Sequence, residues 1–544
     1  MQEIAEKLKN AIKDLYGLDF NPEITPAPEN INADYSSNAP LKLAKELHKS
    51  PMQIAEELNQ KLNVNISNPG FLNFVLSDDY LQKNINDLCK DFASSIDSNE
   101  FSGKTIVAEF SDPNPFKILH AGHLYTSIMG DALSRLYESA GAKVIRANFG
   151  GDVGLHVAKT IYILLQKKPD TLTIEEIGKC YVEGTLAYDD DEKAHEEITK
   201  LNKEIYKINN EDIHGTPLSD LYWKGRELSY EYFKDFYASI GVKFDKYYPE
   251  SSVANLGLET VKRELEKGVY EYSDGAVVFK GEKYGLHTRV FINKEGVPTY
   301  EAKDVGLIFQ KDKDYHFDKS VVITGSEQLD YMKVVLKSVE QYAPELVAKT
   351  THLTHGLVKL PGNVKMSSRK GNFLKAVDVI NLVKSALKEA YNSTDEKVSL
   401  AAIKYAFLKY KMGGDIIFDP NESVKMTGNS GPYLLYSCVR AKKILSSVGD
   451  NSKGEKYAFE AAEKNLIKKI LEYKNVLQEA TAEMAPHKLA NYLYELAQEF
   501  SRFYENCPVA GSDKEQERAK IVRAYLNTMT HGLNILGIDI PEEM

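Results

Sequence analysis

Cysteine is scarce: four residues in 544, Cys89, Cys180, Cys438 and Cys507, stand far apart with no CxxC pair and no metal-ligand spacing. There is thus no disulfide framework and no structural zinc site to read from them, and the pattern suits a reducing compartment with all four as packing residues. No stretch approaches the run of about 20 apolar residues that a bilayer-spanning helix needs. The opening MQEIAEKLKNAIKDLYGL interleaves charges with apolar residues at helical spacing, so it does not read as a secretory signal, and a cytoplasmic location is expected. Internal repeats and low-complexity tracts are missing too. Positive charge is in deficit: the net charge is −11, and no arginine precedes Arg135. That excludes a global basic field for nucleic acid, while RAKK at 440–443 and the pair Lys468 and Lys469 leave room for local patches.

What is present reads as a multidomain α/β chain, too long for one hydrophobic core. Residues 1–100 suggest a small N-terminal α+β domain: an amphipathic helix, the Pro- and Asn-rich NPEITPAPENINADYSSNAP, then the alternating SNPGFLNFVLSDD. From Lys104 the pattern changes. KTIVAEF is a buried-type strand, a Pro-rich turn and a helix-like run follow, and KVIRANF is the next strand. This β-α-β order predicts a Rossmann-like parallel sheet over residues 101–373. Residues from about 155 to 275, charged and tyrosine-rich, are expected to be a helical insertion. DGAVVF, LHTRVFI, KSVVITG and LTHGLVKL are expected to complete the sheet. Residues 374–544 read as an all-helical C-terminal bundle.

Two segments carry chemistry. In EFSDPNPFKILHAGH, Glu109 to His123, two imidazoles bracket Ala121 and Gly122 where a strand hands over to a helix. Small residues let a ligand approach the backbone, the helix N-terminus offers N–H groups and a positive dipole end, and the imidazoles offer donors to phosphate oxygens: a place for a nucleoside triphosphate. HxxH alone is weak, because core and metal-ligating histidines are commoner. The second segment, KMSSRKG from Lys365 to Gly371, sets three cations and two hydroxyls before a glycine. Such a loop can clamp pyrophosphate, or be only a basic surface loop.

HAGH at the first strand–helix junction and KMSSR after the last strand resemble the HIGH and KMSKS signatures of class I aminoacyl-tRNA synthetases. SDPNPFKILHAGH with GDAL, VIRANFGGDVG, PTYEAKDVG, GNSGPYLLY and the terminal GLNILGIDIPEEM is similar to arginyl-tRNA synthetases over nearly the whole chain. The resemblance implies arginine activation by ATP, then transfer of the arginyl group to the 3′ end of tRNA(Arg), with Mg²⁺ on the nucleotide phosphates, activation that requires bound tRNA, and a monomer. It implies an arginine pocket at Glu109, Asn114, Tyr300, Asp304 and Gln328, and the residue types suit that task, since a guanidinium wants desolvated carboxylates for planar pairing. His120, His123, Lys117 and Lys365 become the catalytic donors and cations. ATP would lie along His120, Gly122, His123, Gly325, Met366, Ser367 and Ser368. The C-terminal bundle would bind the anticodon, with Tyr433 among its tyrosines, and Asn68, Phe71 and Asn73 would meet the tRNA elbow, Phe71 stacking on a splayed base.

Two positions depart from the family pattern. Ser368 replaces the second lysine of KMSKS, a loss that goes in the family with a lysine ahead of HIGH, here Lys117; and GDWG reads GDVG at Gly151 to Gly154. Rival readings are a non-catalytic tRNA-binding or arginine-sensing relative, a small-molecule adenylyltransferase, and the cysteine or glutamate synthetases. The last pair would want thiol-zinc ligands, or arginines where Glu109 and Asp304 stand.

Overall fold

The computed structural model describes residues 2–28, 30–362, 374–449 and 458–544. They form two compact units. One joins residues 1–95 with 444–473 and 499–525; the other holds 96–443, 474–498 and 526–544. The chain was expected to divide consecutively at 100 and 373. The helical C-terminal region is instead shared between the units.

The larger unit is built on five parallel strands: β1 (Thr105–Glu109), β2 (Lys143–Gly150), β3 (Lys246–Pro249), β4 (Lys319–Gly325) and β5 (Thr350–His355), in the order β5-β4-β1-β2-β3. Ile106, Val107 and Ala108 are buried, as are Val321, Val322 and Ile323, and covering a sheet on both faces selects such continuous apolar runs. In register, Glu109 stands beside Ala147 on one side and Val322 on the other, so β1 stops three residues short of its neighbours, which run on to Gly150 and Gly325. The crossover helix α1 (Ala121–Ser139) is buried along most of its length, and a Cβ at Gly130 would overlap the Phe110 ring, so α1 lies directly on the end of β1.

Between β2 and β3 come four helices, α2 (Leu155–Lys167), α3 (Ile174–Asp190), α4 (Glu192–Asn210) and α5 (Pro217–Ser239). They enclose their own core of Val157, Ile161, Leu164, Ile177, Ile198, Ile205 and Tyr222, joined by Phe116 from the turn after β1. The expected insertion at about 155–275 therefore contains β3, an edge strand. Its four residues, KYYP, are too short to show a strand period in the sequence.

A second correction concerns DGAVVF and LHTRVFI. Their strands, Ala276–Phe279 and Arg289–Ile292, do not join the parallel sheet but form a three-stranded antiparallel sheet with Glu271–Ser273. The hairpin turn is Asp274-Gly275, both at positive φ (50° and 80°), the Asp-Gly pairing that tight hairpins prefer. In the chain this sheet lies between α6 (Glu250–Glu266) and α7 (Tyr300–Tyr315), which cross at glycines. A Cβ at Gly257 would overlap the Ala302 carbonyl, and one at Gly306 would lie 2.8 Å from Gly257 N. α8 (Leu329–Glu340) follows β4.

In the smaller unit, a four-stranded sheet and three helices close over Leu8, Ile12, Leu43, Ile54, Leu58 and Leu72. The helix Asp78–Lys90 packs against Ala461–Leu471 from the far end of the chain.

Candidate active site

The turn from β1 to α1 is strained and heavily tied. Ser111, Asp112 and Phe116 all sit at positive φ (74°, 48° and 65°), costing on the order of 1–3 kcal/mol each for residues with a Cβ. Offsetting bonds hold them: Asp112 Oδ1 accepts from Phe149 N at 2.8 Å, Ser111 pairs with Tyr237 at 2.9 Å, and Phe116 N donates to Ser229 Oγ at 3.0 Å. Strain of this kind is retained where a loop must present groups in one arrangement.

What it presents are the two imidazoles. Gly122 N donates to His120 Nδ1 at 3.1 Å and His120 N donates to His123 Nδ1 at 3.1 Å, so the histidines cap α1 reciprocally, and their rings stack with centroids 3.8 Å apart. Because both Nδ1 atoms accept, each neutral ring carries its proton on Nε2. Burial, reinforced by the Lys117 charge and by His355, lowers the His120 pKa to about 4; burial and the neighbouring His120 and Lys117 push His123 well below its usual range. At neutral pH they are N–H donors and not cations. A third imidazole, His355 at the end of β5, lies beside Gly122 and has its pKa lowered by burial; no motif in the sequence pointed to it.

KMSSRKG, with Lys365, Met366, Ser367 and Ser368, lies outside the described residues. The chain just after it does not. Ala121 N donates to Leu374 O at 2.8 Å and Ala376 N donates to Leu119 O at 3.0 Å, so the residues from Leu374 on are fastened to the HAGH turn.

The carboxylates gather beside this turn. Glu109 and Asp304 are both buried, and Asp304 feels the charges of Glu109, Glu250 and Lys311. Their roles differ. Glu109 accepts from Lys311 Nζ at 2.5 Å and Glu250 from Lys303 Nζ at 2.6 Å, while Asp152 accepts from Arg226 Nε at 3.0 Å and from Ser251. Asp304 has no cation within ion-pair distance among the described residues. It accepts instead from the Tyr331 hydroxyl, and burial, with Glu109 and Glu250 nearby, raises its pKa to about 8. Glu109, expected as a bare ligand for a cation, is thus already half of a buried pair.

Tyr300 begins α7 one turn before Asp304 and is 51% exposed, at the outer rim. Asn114 Oδ1 accepts from Gly151 N at 2.8 Å, bringing it next to Glu250. Gly325 ends β4, and Gln328, exposed, stands at the N-terminus of α8. Sequence reasoning missed Glu250, Lys303, Lys311, Tyr206 and Tyr331, which lie in unrelated stretches and meet only in three dimensions. Tyr206 reaches in from the insertion to pair with Lys303 Nζ at 2.9 Å.

Of the nucleic-acid candidates, Asn68 is exposed and Phe71 half-buried in the turn opening the strand Phe71–Phe74. Asn73 is 2% exposed. Its amide is taken up by Ser36, which donates at 3.0 Å, and by Ser67, which accepts at 2.9 Å, so it does not offer an edge to a base. Tyr433 is half-buried, its ring set edgewise against Tyr494, with centroids 5.8 Å apart.

Comparison with known proteins gives three family models in succession. Residues 2–76 match the arginyl tRNA synthetase N terminal domain, 86–419 the class I (R) tRNA synthetase catalytic domain, and 434–544 the DALR anticodon binding domain. The arginine–tRNA ligase of Flavobacterium psychrophilum is 30% identical over 515 residues, covering 87% of this chain and 85% of that protein. That of Clostridium botulinum is 30% identical over 575 residues, covering 100% and 99%. Among solved structures, Thermus thermophilus arginyl-tRNA synthetase matches with a TM-score of 0.80 at 22% identity, covering 100% of both chains. The Plasmodium falciparum enzyme matches at 0.78 and 22%, covering 100% and 99%. No described helix is long and apolar enough to cross a membrane.

Proposed function

The chain belongs to the arginyl-tRNA synthetase family, arginine–tRNA ligases of class I, and from that premise we propose how its residues divide the reaction. Arginine and ATP give arginyl adenylate and pyrophosphate, and the arginyl group then passes to the 3′ end of tRNA(Arg). The carboxylate of arginine is already a nucleophile, so activation needs no general base. The protein's task is to align it with the α-phosphorus and to stabilise the charge that builds on phosphorus and leaving group.

His120 and His123 donate through Nε2–H to the phosphates, Lys117 and Lys365 supply positive charge, and the N-terminus of α1 lies under them. Gly122, Gly325 and the backbone at Met366 take the adenosine, with Ser367 and Ser368 on the phosphates and Mg²⁺ carried there as part of the substrate. Asp304 is the counter-charge for the guanidinium. Glu109 with Lys311 and Glu250 with Lys303 form the walls that fix its direction, and Asn114, Tyr300 and Gln328 complete the pocket. The tRNA meets Asn68 and Phe71 at one end of the chain and the surface around Tyr433 in the helical region. The enzyme acts as a monomer in the cytoplasm, where its cysteines stay reduced.

One observation carries the pocket assignment: among the described residues Asp304 is buried with no cation of its own while Glu109, Glu250 and Asp152 each have one. A cationic side chain is what such a site lacks. The test is aminoacylation of unfractionated tRNA with each of the twenty amino acids. Only arginine should be charged. In Asp304→Asn, kcat/KM for arginine should fall at least about 100-fold, the order expected for a buried charge pair, with the KM for ATP little changed. Undiminished use of arginine by that variant would overturn the pocket assignment.

A further inference from the structure

Lys117 stands three residues before His120, and among the described residues its ammonium has no carboxylate within ion-pair distance. Nζ lies instead 4.9 Å from the centre of the Tyr181 ring, on α3 of the helical insertion. The neighbouring residues are gripped by the same layer. A Cβ at Gly178, one turn before Tyr181 on the same face of α3, would overlap Ile118 Cδ1. Phe116 is fully buried in the insertion's core, with its N–H on Ser229 and its ring against Gly225, both on α5. Three successive residues of the turn, 116 to 118, are therefore held by the insertion and not by the sheet that carries them. The charge of Lys117 bears on His120 and His123, so the position of that ammonium is felt at the imidazoles.

We propose that Tyr181 is a positioning residue for activation: its ring holds the Lys117 ammonium at the edge of the nucleotide site and yields it to the triphosphate. A long lysine side chain without such a hold samples many rotamers, and that freedom is lost when it must meet a phosphate. A cation over an aromatic face is held more weakly than one hydrogen-bonded to phosphate oxygens, so the handover is favourable. Ser368 stands where the KMSKS signature has its second lysine, so that position offers no ammonium in place of Lys117. The inference rests on the reading of Lys117 as a phosphate-neutralising cation, and it gives the insertion a part in the chemistry.

The experiment compares steady-state aminoacylation by wild type, Tyr181→Phe, Tyr181→Leu, Lys117→Ala and the Lys117→Ala/Tyr181→Leu double variant, with thermal melting as a check on folding. Tyr181→Phe keeps the ring and should stay within about twofold of wild type. Tyr181→Leu should lose about 3- to 10-fold in kcat, the range a partly exposed cation–π contact supports, at an unchanged KM for arginine. Added to Lys117→Ala, the same leucine should cost nothing further, because its route is gone. If Lys117→Ala cripples the enzyme while Tyr181→Leu is harmless, or if the two losses multiply, or if phenylalanine is as poor as leucine, the positioning role is wrong. If Lys117→Ala leaves kcat untouched, the assignment of Lys117 itself fails, a result distinct from the others.

Discussion

Asp304 and Glu109 look alike in the sequence, two acids near a nucleotide signature, and the structure makes them different. Glu109 is neutralised by Lys311, a partner 202 positions away, which no spacing could reveal. Asp304 keeps its own account with Tyr331, and burial raises its pKa to about 8. Its folded value lies above the ordinary carboxyl value near 4, so the native site binds more protons than the unfolded chain between those limits. The stability this group contributes is fully present below about pH 4 and is lost as pH rises through about 8. Arginine binding has the opposite sense, because a guanidinium favours the ionised carboxylate. Arginine affinity should rise as pH increases toward about 8, by at most about tenfold per unit, and level off above it. Binding at pH 7 should release a proton, seen calorimetrically as a heat that changes with the buffer's ionisation enthalpy. Asp304→Asn should abolish that buffer dependence; a flat pH profile in the wild type would contradict the pKa. HAGH was legible because its chemistry lies in four consecutive residues, whereas His355, Glu250 and Tyr331 could not be read because theirs depends on folding.

Helix and strand types followed from local patterns, and their partners did not. YEAKD is helical, which stacks Tyr300 and Asp304 on one face of α7. KSVVITG provides β4 and the LTH of LTHGLVKL ends β5, but Val358 and Lys359 of the same segment pair with Ile416 and Ile417 in a separate two-stranded sheet, and AVVF and RVFI, equally strand-like, pair only with one another and with Glu271–Ser273. Periodicity specifies a strand but not its sheet. The arrangement that matters for the pocket is the crossing of α6 and α7, because α6 begins with Glu250 and α7 carries Lys303, Asp304 and Lys311. Gly257 and Gly306 let the two backbones touch. Gly257→Ala would press a methyl into the Ala302 carbonyl, immediately before Lys303 and Asp304. It should destabilise the protein by about 1–3 kcal/mol, the usual cost of overpacking. It should also raise the KM for arginine more than that for ATP. Both are measurable, by thermal denaturation and by aminoacylation kinetics. An alanine variant with wild-type stability would mean that the helices can separate freely, and that the glycine contact does not set the pocket.

Across the whole molecule, linear reading divides a chain into consecutive blocks, since composition and periodicity are local properties; the compact units obey no such order. The first 95 residues share a unit with 444–473 and 499–525, so the arginyl tRNA synthetase N terminal domain and part of the DALR domain meet there. Polar links between the two ends of the chain in that unit include partly exposed ones: Lys464 to Asp78 at 2.6 Å, Lys468 to Asp34 at 2.9 Å, and Gln82 to Glu517 at 2.7 Å. Partly exposed ion pairs contribute about 0–1 kcal/mol, so the apolar face of Asp78–Lys90, with Leu81, Ile85 and Leu88 buried, must carry most of the packing against Ala461–Leu471. Ile85→Ala should therefore cost about 2–4 kcal/mol locally, and the loss should be little altered by salt. Its signature is spatial. Amide hydrogen exchange should quicken in Ala461–Leu471 as well as in Asp78–Lys90, some 370 to 390 positions apart in the chain, while the KM for arginine stays at its wild-type value because the pocket belongs to the other unit. Exchange that quickens only within the first 95 residues would show that the two ends of the chain fold independently.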